Sequence, residues 1–156
     1  MKLELGKPAP DFKLVDSDKQ TVSLSDLKGK NVVLLFFPAA FTGICTKELC
    51  QTRDEMSFYN DLNATVLAIS VDLPFTLAKF KEDNNYNFTL LSDFNKEAST
   101  AYDALFADWI LGLKGVSKRA SFVIDKDGIL RHSEILASAG DYPDFNAIKA
   151  VLEKLN

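Results

Sequence analysis

The chain has 156 residues, enough for one domain with a full hydrophobic core. Hydrophobic residues make up 47% and charged residues 26%, a balance that excludes a disordered chain. A net charge of −4 without any lysine or arginine block argues against nucleic acid as a principal partner, and no apolar stretch approaches the ~20 residues of a membrane-crossing helix.

Pro8, Pro10, the alternating Phe12 and Leu14, and then Thr21 to Leu24 predict short strands or a hairpin ahead of the core. Ser25-Asp26-Leu27 before Gly29 predicts a single helical turn. Asn31 to Phe37 is a continuous valine, leucine and phenylalanine run, the pattern of a fully buried strand. Pro38 ends it, because proline has no N–H for a sheet ladder. Thr46 to Leu62 predicts a helix, Thr65 to Ser70 a second buried strand, and Pro74 opens a short helix through Glu82. Thr89 to Leu91 predicts a third strand, and Ser92 or Asn95 caps a helix reaching about Leu105. Gly112 and Gly115 leave Ala107 to Lys118 without a regular pattern. Ala120 to Ile124 and Ile129 to Ile135 predict strands joined by the turn Asp125-Lys126-Asp127-Gly128, where the glycine supplies positive φ. Asp144 to Leu155 reads as an amphipathic closing helix, with Phe145, Ile148, Val151, Leu152 and Leu155 on one face. No repeat, low-complexity tract or linker interrupts the order, so residues 1–156 are read as one α/β domain with parallel central strands and an added antiparallel pair.

This order places Cys45 at the first turn of a helix, just beyond the carboxyl end of a central strand. Ligands of open α/β sheets bind at that edge, and unpaired N–H groups with the positive end of the helix dipole favour an anion there. A thiol so placed tends towards thiolate, the nucleophilic form. The N-terminus has no apolar signal core, so an intracellular, cytoplasmic protein is expected. In that compartment two cysteines are more readily redox-active or buried than a permanent staple.

Pro38-x-x-x-Thr42-x-x-Cys45 resembles the active-site motif of the peroxiredoxins, thiol-dependent peroxidases with a thioredoxin-like fold. Lys118 to Asp125 followed by Asp127-Gly128 is similar to the family segment that carries its active-site arginine, and Gly6 to Phe12 is similar to its N-terminal signature. Ser70 to Phe75 and Leu91-Ser92-Asp93 resemble its bacterial thiol peroxidase branches. The resemblance implies a three-layer fold with a central mixed sheet and an N-terminal strand or hairpin extension. It implies Cys45 as the peroxidatic cysteine, Thr42 as the hydroxyl that holds the peroxide, and Arg119 as the cation beside thiolate and leaving oxygen. Pro38 would shield the sulfur from water, and Glu48 would orient the arginine. The implied partners are hydrogen peroxide or an organic hydroperoxide and a thiol reductant (thioredoxin, glutaredoxin or a small thiol). No cofactor and no metal is implied. A monomer or dimer is expected rather than a ring of dimers, with the homodimer preferred.

Cys50 matches the resolving position of the bacterioferritin-comigratory branch. The resolving cysteine of the thiol peroxidase branch would follow Phe80, where this chain has Lys81. Residues five apart on a helix project ~140° from one another with Cα atoms more than ~7 Å apart, beyond the reach of a relaxed disulfide. Cys50 is therefore either a resolving thiol that needs the helix to unwind or a small buried hydrophobe, in which case an external thiol completes the cycle. A dithiol-disulfide oxidoreductase would carry Cys-x-x-Cys and a proline near Arg119-Ala120, and this chain has neither. A peroxide sensor without turnover would need the same reactive thiolate. His132 is expected to be an exposed spectator, and Phe106 and Trp109 to be core or part of a dimer face.

Overall fold

The computed structural model describes residues 3–138 and 140–156. A seven-stranded sheet forms its centre, in the order β2, β1, β5, β4, β3, β8, β9. The strands are β1 (Lys13–Asp16), β2 (Thr21–Ser23), β3 (Asn31–Phe36), β4 (Ala64–Ser70), β5 (Thr89–Ser92), β8 (Ala120–Ile124) and β9 (Leu130–Ile135). β3, β4 and β5 run parallel, whereas β8 lies antiparallel to β3 and β9 antiparallel to β8. The expected N-terminal hairpin, β1 with β2, adds to the far edge through β5. A separate two-stranded ribbon joins β6 (Leu105–Phe106) and β7 (Val116–Ser117).

Strand parity divides the interior into two cores. Val33, Leu35 and Phe37 face one side with Val66, Ala68 and Val123. There they meet Cys45 and Leu49 of α1 (Gly43–Asp54), Met56 and Tyr59 of α2 (Met56–Asp61), Leu77 and Phe80 of α3 (Pro74–Asn84), and Phe145, Ile148 and Leu152 of α5 (Phe145–Lys154). Val32, Leu34 and Phe36 face the other side with Phe122 and Ile124, against Phe12, Leu14, Leu24 and Tyr102. Ala98, from the one-turn α4 (Glu97–Ala101), belongs to that second core.

Three predicted elements differ. The helix expected from Thr46 to Leu62 starts earlier, at Gly43, and breaks at Glu55, whose φ/ψ of −106°/11° is not helical. The helix expected to reach Leu105 is only α4. The buried Asp93 carboxylate accepts from Ala98 N and Ser99 N, fixing its start, and Asp103 at φ 53° turns the chain away after it. The irregular stretch after Ala107 holds a 3₁₀ turn at Ile110–Gly112, with Leu111 at φ 59°, followed by β7. Elsewhere the elements agree: Pro74 opens α3, Asp144 caps α5 by accepting from Ala147 N, and Gly128 takes φ 84° in the β8–β9 turn.

Candidate active site

Cys45 is the third residue of α1, on the side of the helix that meets the sheet, and it is buried. The chain reaches it from β3 through Phe37, whose N–H still bonds the Ile69 carbonyl of β4, and the buried Pro38. Ala40 N donates to Asp72 Oδ2 at 2.8 Å, and that same oxygen accepts from Ser70 Oγ at 2.7 Å. Ser92 Oγ donates to the Asp72 carbonyl. Asp72 thus ties the loop before α1 to the ends of β4 and β5. Sequence reasoning gave Asp72 no role of its own; the signal for it was its place inside the Ser70 to Phe75 segment that resembles the bacterial thiol peroxidase branches.

Arg119 directly precedes β8. The register pairs Phe36 with Ala120, so Arg119 lies opposite Phe37, and its parity with Ser121 and Val123 sends its side chain to the α1 face. Its Nη1 and Nη2 both stand 3.3 Å from Cys45 Sγ. Nη1 also donates to Glu48 Oε1 at 2.7 Å. Cys45, Glu48 and Arg119 are 1%, 0% and 2% exposed, so sulfur, carboxyl and guanidinium form one desolvated cluster. A fork of two charge-assisted donors on one sulfur stabilises a thiolate and any negative charge that grows beside it.

Glu48 is the sixth residue of α1, beyond its first turn, and is fully buried. Its Oε2 has no hydrogen-bond partner among the described residues. Burial pushes its pKa up to about 7 against the opposing pull of Arg119, and Glu134 adds to the rise. The carboxyl therefore titrates in the neutral range.

Thr42 directly precedes α1. It occupies the N-cap of α1, but its side chain does not cap the helix. Its Oγ1 donates to the Ala39 carbonyl at 2.7 Å, and the residue is exposed. Preceding it, Phe41 takes φ 66° and lays its half-exposed ring against Phe80 at 5.0 Å.

Cys50 faces elsewhere. Its Sγ lies 3.8 Å from Asn84 Oδ1 and 3.6 Å from the Tyr86 hydroxyl, at the junction of α1 with α3, and both cysteines are free thiols. The structure thus brings Cys45, Glu48 and Arg119 together and leaves Cys50 on the same wound helix, turned away from them. His132 is half-buried rather than exposed, with Nε2 3.4 Å from Ser121 Oγ. Burial lowers its pKa against the pull of Glu134 and Asp144. Phe106 and Trp109 belong to neither core, and both are half-buried.

Among the described residues, no group of three or more His, Cys, Asp or Glu side chains could hold a metal ion, and no helix is long and apolar enough to cross a membrane.

Residues 5–133 match the model of the AhpC/TSA family. The chain is 40% identical over 136 residues to alkyl hydroperoxide reductase E of Mycobacterium tuberculosis, covering 85% of this chain and 86% of that one. It is 36% identical over 156 residues to the mitochondrial thioredoxin-dependent peroxide reductase of Drosophila melanogaster, covering 94% of this chain and 63% of that protein. The crystal structure of the peroxidoxin BcpB from Mycobacterium tuberculosis superposes with a TM-score of 0.86 at 30% identity, over 99% of both chains.

Proposed function

The chain belongs to the AhpC/TSA family of peroxiredoxins and is a thiol-dependent peroxidase of thioredoxin-like fold, and on that premise we propose that Cys45 is its peroxidatic cysteine and Cys50 its resolving cysteine. The observation that carries the first assignment is the Arg119 fork, 3.3 Å from Cys45 Sγ through both terminal nitrogens. In this reading the Cys45 thiolate attacks one peroxide oxygen. A sulfur–oxygen bond forms, the oxygen–oxygen bond breaks, and the departing oxygen takes a proton to leave as water or an alcohol. The sulfur is oxidised to sulfenic acid and the peroxide is reduced. Arg119 stabilises both the thiolate and the charge developing on the leaving oxygen. Glu48 holds the guanidinium, Pro38 keeps water off the sulfur, and Thr42, once its hydroxyl leaves Ala39, holds the peroxide in line.

The second half-reaction is attack by Cys50. Its thiolate displaces hydroxide from the Cys45 sulfur, which leaves as water once protonated, and a disulfide forms. An external dithiol, most simply a thioredoxin, then reduces that disulfide. Residues 1–156 act in this reading as one domain of a cytoplasmic homodimer. The exposed Ile110, Leu111 and Leu113 support a dimer face, and sedimentation of the reduced protein checks it.

Intact mass after one equivalent of hydrogen peroxide tests the cycle, with Cys45→Ser and Cys50→Ser variants beside the wild type. The expected wild-type product has lost two hydrogens, and Cys50→Ser carries added oxygen at Cys45. Added oxygen in the wild type would assign a one-cysteine enzyme served by an outside thiol, and an unreactive Cys45 would overturn the peroxidatic assignment.

A further inference from the structure

We propose that Tyr86 is a positioning residue for the resolving step: its hydroxyl pins the Thr46 carbonyl while α1 is wound, and turns to the Cys50 sulfur as that sulfur becomes the attacking thiolate. The proposal rests on the reading of Cys50 as the resolving cysteine.

Tyr86 is 4% exposed, and its ring is held by Phe80 at 5.2 Å and Phe88 at 5.3 Å. That packing aims its hydroxyl at two groups on α1. The Thr46 carbonyl is 3.4 Å away, and Cys50 Sγ is 3.6 Å away. A tyrosine hydroxyl has one hydrogen and can give it to only one of them at a time. In regular α-helical pairing Thr46 O is also the acceptor for the Cys50 N–H. Tyr86 therefore touches the one helical turn that links the two cysteines, at both its carbonyl end and its sulfur end.

The rest of α1 is clamped. Arg53 Nη1 donates to the Asn84 carbonyl at 2.7 Å, Asn87 Nδ2 donates to the Arg53 carbonyl, and the Tyr142 hydroxyl donates to Gln51 Oε1 at 2.7 Å. Opening is thereby directed to the Gly43–Thr46 end, where Thr46 N and Thr46 Oγ1 reach back to the Thr42 carbonyl and a further tie is the Arg119 fork on the Cys45 sulfur, the very atom that oxidation alters. Unwinding there releases Thr46 O from its helical place and frees the phenol hydrogen for Cys50. Charge favours the transfer: a neutral carbonyl is a weaker acceptor than a thiolate.

The other titratable groups whose charges reach Cys50 are Arg53 on its own helix and Tyr142 from the segment ahead of α5. Asn84 presents only its amide oxygen. Burial, followed by the bond to Cys50, pushes the Tyr86 phenol up, so it stays a donor throughout the neutral range.

The test is Tyr86→Phe, which keeps the ring between Phe80 and Phe88. Reduced wild type and Y86F are mixed with one equivalent of hydrogen peroxide, and disulfide formation is followed by rapid quench across ~pH 5.5 to 9. Loss of a donor to a thiolate is expected to slow resolution about tenfold at neutral pH and to move the midpoint of the pH profile up by about one unit, with the rate recovering at alkaline pH. Alkylation of Cys50 by iodoacetamide in Cys45→Ser and in the Cys45→Ser, Tyr86→Phe double variant is expected to show a much smaller displacement, because without oxidation of Cys45 the helix stays wound and the phenol hydrogen stays on the Thr46 carbonyl. Superimposable resolution profiles would overturn the proposal, and so would a slower rate with an unmoved midpoint, which assigns Tyr86 to packing alone. A wild type that forms no disulfide would remove the resolving role of Cys50 and this proposal together, whereas a wild-type disulfide with an unchanged Y86F removes only the second.

Discussion

Arg119 and Glu48 form an ion pair with almost no water around it, and such a pair contributes geometry more dependably than stability. Arg119→Lys keeps the charge but loses the fork that places two donors on one sulfur. The second-order rate of Cys45 oxidation is therefore expected to fall about 10²–10³-fold, the usual loss of a preorganised transition-state donor, as measured by stopped flow. Glu48 carries a second prediction. Its pKa lies near 7 when folded and near its ordinary 4.5 when unfolded. Between those values the folded state keeps a proton that the unfolded chain has released, so stability falls as pH rises through that window. Urea midpoints of the wild type are expected to drop from pH 5 to pH 8, by up to about 3 kcal/mol in free energy. Glu48→Gln, which cannot titrate, is expected to show a distinctly shallower fall.

At the scale of elements, the proposed cycle asks α1 to be both a rigid platform for Cys45 and a helix that opens. Gly43 is its first residue, and a Cβ there would meet no atom within 4 Å. Gly43→Ala removes backbone freedom from the unfolded chain at no steric cost, which is worth about 0.4–1 kcal/mol. The variant is expected to melt slightly higher and to form the Cys45–Cys50 disulfide up to about fivefold more slowly, read by the same quench experiment. The limits of the predicted helices also have local causes. Periodicity revealed α5 because Phe145, Ile148 and Leu152 recur at helical spacing on a buried face. It overextended α4, because nothing in the pattern says that Asp93 accepts from two backbone N–H groups six residues or fewer away. It also missed the break at Glu55, because apolar residues at helical spacing continue across it through Met56 and Tyr59. In the site, chain order indicated Cys45 and the family resemblance of the Lys118 to Asp125 segment indicated Arg119, yet the bond from Thr42 to Ala39 and the tie through Asp72 depend on loop geometry that no spacing encodes.

Across the whole molecule, the sheet separates chemistry from ballast. Phe122 is fully buried in the second core, where its ring meets Phe36 and Tyr102 edge-on. Phe122→Ala is expected to cost about 3–5 kcal/mol in urea unfolding, while the folded fraction oxidises Cys45 at close to the wild-type rate, because the reacting groups lie on the opposite face. The same parity that assigns Phe122 to one side assigns Arg119 to the other. A residue inserted or deleted between Arg119 and Phe122 would exchange the two sides, sending a guanidinium into an aromatic interior and leaving the sulfur without its cation. The ribbon and 3₁₀ turn before β8 carry no such constraint. Length variation should therefore be survivable in the stretch from Ala107 to Gly115 and lethal to the chemistry a few positions later, an asymmetry that a scan of single-residue indels would display as a sharp boundary at Arg119.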